Sequence, residues 1–83
     1  MKKQNSHTLR ILSQNKNFIT SLGRECWIVS CINNGVMEFR IMHNGYIDPC
    51  LGMYHSYQRA EEIINEIFQC IKQEICSYEM PQE

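Results

Sequence analysis

Ser56-Tyr57-Gln58-Arg59-Ala60-Glu61-Glu62-Ile63-Ile64-Asn65-Glu66-Ile67-Phe68-Gln69-Cys70-Ile71-Lys72-Gln73-Glu74-Ile75 decides how this 83-residue chain folds. Ala60, Ile63, Ile64, Ile67, Phe68, Ile71 and Ile75 recur at three- and four-residue steps, so on a helix they make one apolar stripe. Glu62, Asn65, Glu66, Gln69 and Gln73 take the other side. Ser56 precedes the pattern and suits an N-cap, whose side-chain oxygen accepts from a free backbone N–H. Glu61 and Glu62 fall in the opening turns, where the helix dipole favours negative charge. Pro81 stops any continuation. The spacing predicts a helix over 57–76. Burying each large side chain is worth roughly 1.5–3 kcal/mol, so the stripe needs a surface to cover.

Upstream, the sequence offers a sheet. Cys26-Trp27-Ile28-Val29-Ser30-Cys31-Ile32 is dense in β-formers, and Asn33-Asn34-Gly35 follows as a turn, because Asn and Gly tolerate positive φ. In Val36-Met37-Glu38-Phe39-Arg40-Ile41-Met42 the residues alternate, with Met37, Phe39 and Ile41 on one face and Glu38 and Arg40 on the other. A second turn, His43-Asn44-Gly45, leads to Tyr46-Ile47-Asp48; Pro49 removes a ladder donor, and Cys50-Leu51-Gly52-Met53-Tyr54 resumes the strand. The expected architecture is α+β: an antiparallel β-meander of four to five strands packed by one C-terminal helix, in a single domain over 1–83 with sheet over 8–54. The strand around Trp27 is apolar on both faces, Trp27, Val29 and Cys31 on one, Cys26, Ile28 and Ile32 on the other. One helix covers one face, so the other is expected to meet further chain or a partner.

The first twenty-four residues read less cleanly. Thr8–Leu12 and Asn17–Leu22 make two short strands around Ser13-Gln14-Asn15-Lys16, or else one amphipathic helix; the Asn-rich turn chemistry favours strands. Met1–His7 is expected to fray. Residues 1–24 carry five basic and no acidic residues, and 25–83 carry three basic and nine acidic, so the parts attract and the basic part is expected to lie against the remainder.

Composition narrows the function. The apolar fraction is 43% and the charged fraction 20%, ordinary for a globular domain. No run of ~18 apolar residues spans a membrane, and no apolar segment follows the basic start as a signal peptide requires. Cys26, Cys31, Cys50, Cys70 and Cys76 are odd in number and irregular in spacing, which suits reduced thiols in a cytoplasm better than a disulfide framework. Zinc needs close ligand pairs, and Cys26 and Cys31 point to opposite faces of one strand. Cys50 near His43 or His55 lacks a third, orienting group for nucleophilic catalysis, and Glu61, Glu62 and Glu66 sit on a solvated helical face. No Gly-rich phosphate loop occurs. Neither cofactor nor metal is expected. Trp27, Tyr46, Tyr54 and Tyr57, with Arg40 and His43, suit a groove on the sheet, because an aromatic ring with a polar tip serves protein interfaces and stacking on bases. A net charge of −1 and an acidic helix disfavour nucleic acid.

Leu51-Gly52-Met53-Tyr54-His55-Ser56-Tyr57-Gln58-Arg59-Ala60-Glu61-Glu62-Ile63-Ile64-Asn65-Glu66-Ile67 resembles the L-G-x-Y-x-S-x-x-x-A-x-x-I/V-L/I-x-E-I signature of small proteins of Gram-positive bacteria and their phages. Leu9–Lys16 and Tyr78-Glu79-Met80-Pro81 look like the first strand and tail of that group. The likeness covers about half the chain and much of it is strand-into-helix grammar; the long Trp27–Met42 hairpin and the Asp48-Pro49-Cys50 interruption depart from the shortest members. It implies a mobile-element setting and no catalytic residues. Together these readings predict a non-enzymatic interaction protein, homo-oligomeric and cytoplasmic, that binds a host protein such as an antiviral-defence component. Its binding residues are expected to be Trp27, Arg40, His43, Tyr46 and Tyr54. Two readings stay open beside it: a sponge for a signalling nucleotide, and a nucleic-acid-binding regulator that uses the basic N-terminal part.

Overall fold

The computed structural model describes residues 9–16, 19–22, 26–44 and 49–83. Among them the order is β1 (Leu9–Leu12), β2 (Ile19–Leu22), β3 (Cys26–Asn33), β4 (Val36–His43), β5 (Cys50–Tyr54), α1 (Tyr57–Lys72) and β6 (Ser77–Glu79). The fold is α+β. Strands β3–β4–β5 form an antiparallel meander, and α1 packs on it. The strands exceed the expected four or five and divide into two sheets, the second ordered β2–β1–β6. The segment 8–22 contributes strands, Leu9 pairing with Leu22 and Leu12 with Ile19. The expected fraying of Met1–His7 and the Tyr46-Ile47-Asp48 stretch lie outside the described residues.

The hairpin forms where the Asn-Gly signal stood. Asn34 has φ 54° and Gly35 φ 77°, the two positive values of a type I′ turn, whose twist matches that of the flanking strands. The register then runs without a shift from Asn33↔Val36 to Cys26↔His43. Between β4 and β5 it slips at Ile41/Met42, which makes Leu51 the extra residue of a bulge just after Pro49.

The helix starts as expected and stops sooner. Ser56 is extended (φ −129°, ψ 129°), and its hydroxyl accepts from the Arg59 N–H at 3.2 Å. The opening turn holds no acidic side chain, since Glu61 and Glu62 lie one turn further in. At the other end Glu74 adopts φ 58°. The Ile75 N–H donates to Cys70 O at 2.9 Å and the Glu74 N–H to Ile71 O at 3.1 Å, the paired closure of a Schellman motif. The helix therefore ends at Lys72, not 76, and Ile75 and Cys76 leave its stripe. Phe68, at the stripe's edge, is exposed and has the Lys72 ammonium 5.9 Å from its ring centre.

The turn after α1 delivers the chain to β6, which runs parallel to β1 with Arg10↔Ser77, Ile11↔Tyr78 and Leu12↔Glu79. One core results: Leu9 and Ile11 from β1, Ile41 from β4, Leu51 and Tyr54 from β5, Ala60, Ile63 and Ile67 from α1, and Met80 just past β6. Gln14 ties the two sheets together. Its backbone N–H donates to Leu51 O at 2.9 Å, and its side-chain oxygen accepts from the Met53 N–H at 2.7 Å. Its amide nitrogen donates to Gln82 O at 2.9 Å, and its backbone carbonyl accepts from the Gln82 amide at 2.7 Å. Gly52 is required beside it: a Cβ there would stand 2.9 Å from the Tyr54 hydroxyl and 3.2 Å from Gln14 Cβ.

Candidate functional site

Residues directly opposed across antiparallel strands share a face. Ile28, Ile41, Phe39 and Tyr54 thus share the flank that meets α1. The reverse flank carries Trp27, Val29 and Cys31 from β3, Glu38, Arg40 and Met42 from β4, and Cys50 and Met53 from β5. The core members from β1 and α1 gather with Ile41 and Tyr54 on the first flank. On the reverse flank Trp27 and Val29 remain 41% and 39% exposed. Beyond the reach of the helix, the hairpin tip also exposes Ile32, Val36 and Met37.

One charged pair sits in this apolar surface. Arg40 Nη2 lies 3.1 Å from Glu38 Oε1, and the Asn33 amide donates to the other carboxylate oxygen at 3.4 Å. The Glu38 side chain is almost fully covered although it stands on the open flank. Its hydrogen bond to Arg40 pushes the guanidinium pKa up, and the cation is already engaged, so it is a poor lone anchor for a phosphate.

The expected groove is only partly assembled. Trp27 and Arg40 share the reverse flank. Tyr54 does not join them: it is 1% exposed, inside the core, and its hydroxyl donates to Pro81 O at 2.6 Å. Burial pushes its phenol pKa up. A large ring that follows a strand-ending Gly is drawn into the nearest apolar volume, which here is the core. His43 is buried as well, on the Ile41 side, with its backbone N–H donating to Pro49 O at 2.8 Å. Neither is a surface anchor. Tyr46 lies outside the described residues. Tyr57 is exposed and packs edge-to-face on Phe39, with centroids 5.7 Å apart. The residues that complete the open flank, Val29, Met42 and Met53, carry no chemical signature; the run without charge from Cys26 to Met37 was the available signal.

Other chemistries find little support among the described residues. No group of three His, Cys, Asp or Glu side chains converges as metal ligands. Burial raises the Cys26 thiol pKa, which lowers its thiolate fraction. The Cys50 thiol donates to Gly52 O at 3.4 Å. Of the basic N-terminal part, Lys16 pairs with Glu79 at 3.3 Å, so some of its charge does lie against the acidic remainder. A shallow cleft of about 360 Å3 lies on the other sheet, lined by Arg10, Leu12, Ile19, Ser77, Tyr78 and Glu79, apart from the open flank. No described helix is long and apolar enough to cross a membrane.

The chain matches no protein-family model, no curated protein and no solved structure. Its class is therefore defined by its own geometry: an α+β domain whose meander packs α1 on one flank and, among the described residues, leaves Trp27 and Val29 exposed on the other.

Proposed function

We propose that this chain is a non-enzymatic interaction protein of the cytoplasm, which binds a second protein through the reverse flank of β3–β4–β5 and the hairpin tip. The observation that supports this is the exposure of Trp27 and Val29, 41% and 39%, on the flank turned away from α1. Trp and Arg are over-represented among residues that dominate protein interfaces, and Trp27 lies two residues from the Val29–Arg40 pair. The likeness of Leu51–Ile67 to small phage and Gram-positive proteins supports a host protein as the partner, and with the small size of the chain it favours inhibition of a defence component as the action.

Trp27→Ala tests the reading. Its side chain is on the open flank, so the fold should persist in circular dichroism. Immobilised wild type, Trp27→Ala and Arg10→Ala, the last altered on the other sheet, are exposed to lysate of a Gram-positive host. A protein retained by wild type and Arg10→Ala but lost with Trp27→Ala supports the reading; identical retention by all three removes the flank from the account.

A further inference from the structure

The open surface includes a strand edge, and its geometry names an occupant. β3 is the outer strand of its sheet, and no described strand pairs with its free side. A type I′ turn closes on a hydrogen-bonded pair, here Asn33 and Val36. Hydrogen-bonded and non-hydrogen-bonded pairs alternate from there, so Trp27, Val29 and Cys31 turn their N–H and C=O groups toward β4. Cys26, Ile28, Ser30 and Ile32 turn theirs outward, to an edge that no described strand occupies.

We infer that β3 pairs antiparallel with β3 of a second copy, about a two-fold axis at Val29. This rests on the reading of the chain as an interaction protein and names one partner for it. Outward groups must meet outward groups, which allows only registers that match even-numbered with even-numbered residues. One such register uses all four: Cys26 opposite Ile32 of the second copy, and Ile28 opposite Ser30. It sets Trp27 opposite Cys31 and Val29 opposite Val29. Ile32, 70% exposed in a single copy, gains an apolar neighbour.

Charge permits the approach of like to like. No ionisable acid or base other than the two thiols occurs from Cys26 to Met37, and the net charge is only −1. Strand edges in native proteins are usually guarded by Lys, Pro or a bulge, and β3 has none of these. The second copy also keeps both helices on one side, so the two reverse flanks join into one wider apolar surface. The contact is modest in size: seven residues at ~3.4 Å by a sheet ~10 Å thick give a few hundred Å2 per copy, with about eight main-chain hydrogen bonds. An interface below the standard size belongs to the weak or transient class, so the pair should separate on dilution.

Light scattering across protein concentration reads this directly. Wild type is expected to pass from the 9.8 kDa chain to twice that mass. Val29→Glu gains Arg40 as its cross-strand neighbour within a copy but opposes a second carboxylate across the axis, and should weaken pairing by at least ~100-fold. Ser30→Pro removes an outward N–H and no bond to β4, and should do the same while circular dichroism stays native. Wild type at single-chain mass up to ~1 mM overturns the pairing. So does an unchanged doubling in both folded variants. Either result leaves the lysate experiment to judge the interaction reading on its own, whereas doubling without selective loss in Trp27→Ala keeps the pairing and ends the host-protein reading.

Discussion

Truncating Met80 to alanine tests whether the last residues belong to the core. Met80 is fully buried although it stands three residues before Glu83, the last of the sequence, and its N–H donates to Leu12 O at 3.0 Å. Removing a buried Met side chain down to Cβ costs about 2–5 kcal/mol, the transfer loss plus the cavity. A chain of this length holds roughly 4–12 kcal/mol in total, so the change removes a large share of its stability. At ~4–8 °C per kcal/mol for a domain of this size, the thermal midpoint should fall by at least ~8 °C. Met37→Ala is the matched control, because Met37 is 45% exposed at the hairpin tip and should change stability by ~0.5 kcal/mol or less. Urea unfolding followed by far-UV circular dichroism at low protein concentration measures both, with equal slopes expected. If the two variants agree within ~0.5 kcal/mol, Met80 is not a core residue and the packing of the tail described above is wrong.

Three further outcomes follow from named contacts. Glu74→Gly should raise stability by ~0.5–1 kcal/mol in the same urea assay, since a non-glycine residue at φ 58° bears a left-handed penalty that exceeds the entropy cost of glycine; a loss of stability would contradict the Schellman closure. Tyr54 and Tyr78 both have raised phenol pKa values, Tyr54 through burial, Tyr78 through burial and the hydrogen bond it donates to Glu66 at 2.5 Å. A raised folded-state pKa leaves stability intact below the ordinary phenol value of ~10 and erodes it above, by about 1.4 kcal/mol per pH unit for the enclosed Tyr54 and less for the partly exposed Tyr78; wild type should therefore lose stability from pH 10 to 11.5 more steeply than Tyr54→Phe, and equal slopes would count against that burial. Gln14→Ala should cost ~1–3 kcal/mol, because the Met53 N–H loses its acceptor at the seam between sheets; a neutral result in urea unfolding would place the coupling of the sheets elsewhere.

The local parts of the fold were legible and the non-local ones were not. Ser56, the Ile63–Ile67 spacing and Asn34-Gly35 act within a few residues, so the cap, the helix and the hairpin could be read directly. The two-faced apolar run around Trp27 also announced a flank that one helix would not cover. Ser77-Tyr78-Glu79 is too short for a period to show, and it becomes a strand only because β1 lies alongside. The helix stops short of the end its spacing predicts because Ile75 continues the stripe in number while Glu74 breaks it in conformation. Tyr54 looked like a surface aromatic because type alone does not disclose depth; Gly52 and Gln14 make the space that receives it. Of the five expected binding residues, Trp27 and Arg40 share the open flank, His43 and Tyr54 turn inward, and Tyr46 lies outside the described residues.

Residue-resolved amide hydrogen exchange along β3 addresses the openness of this sheet most directly. In dilute solution the Ile28, Ser30 and Ile32 amides should exchange fast while those of Val29 and Cys31, bonded to β4, are slow. Raising the protein concentration should slow the first set alone. Uniform protection of both sets at the lowest concentration would mean that this same chain already covers the edge, and the surface proposed for partners would not exist.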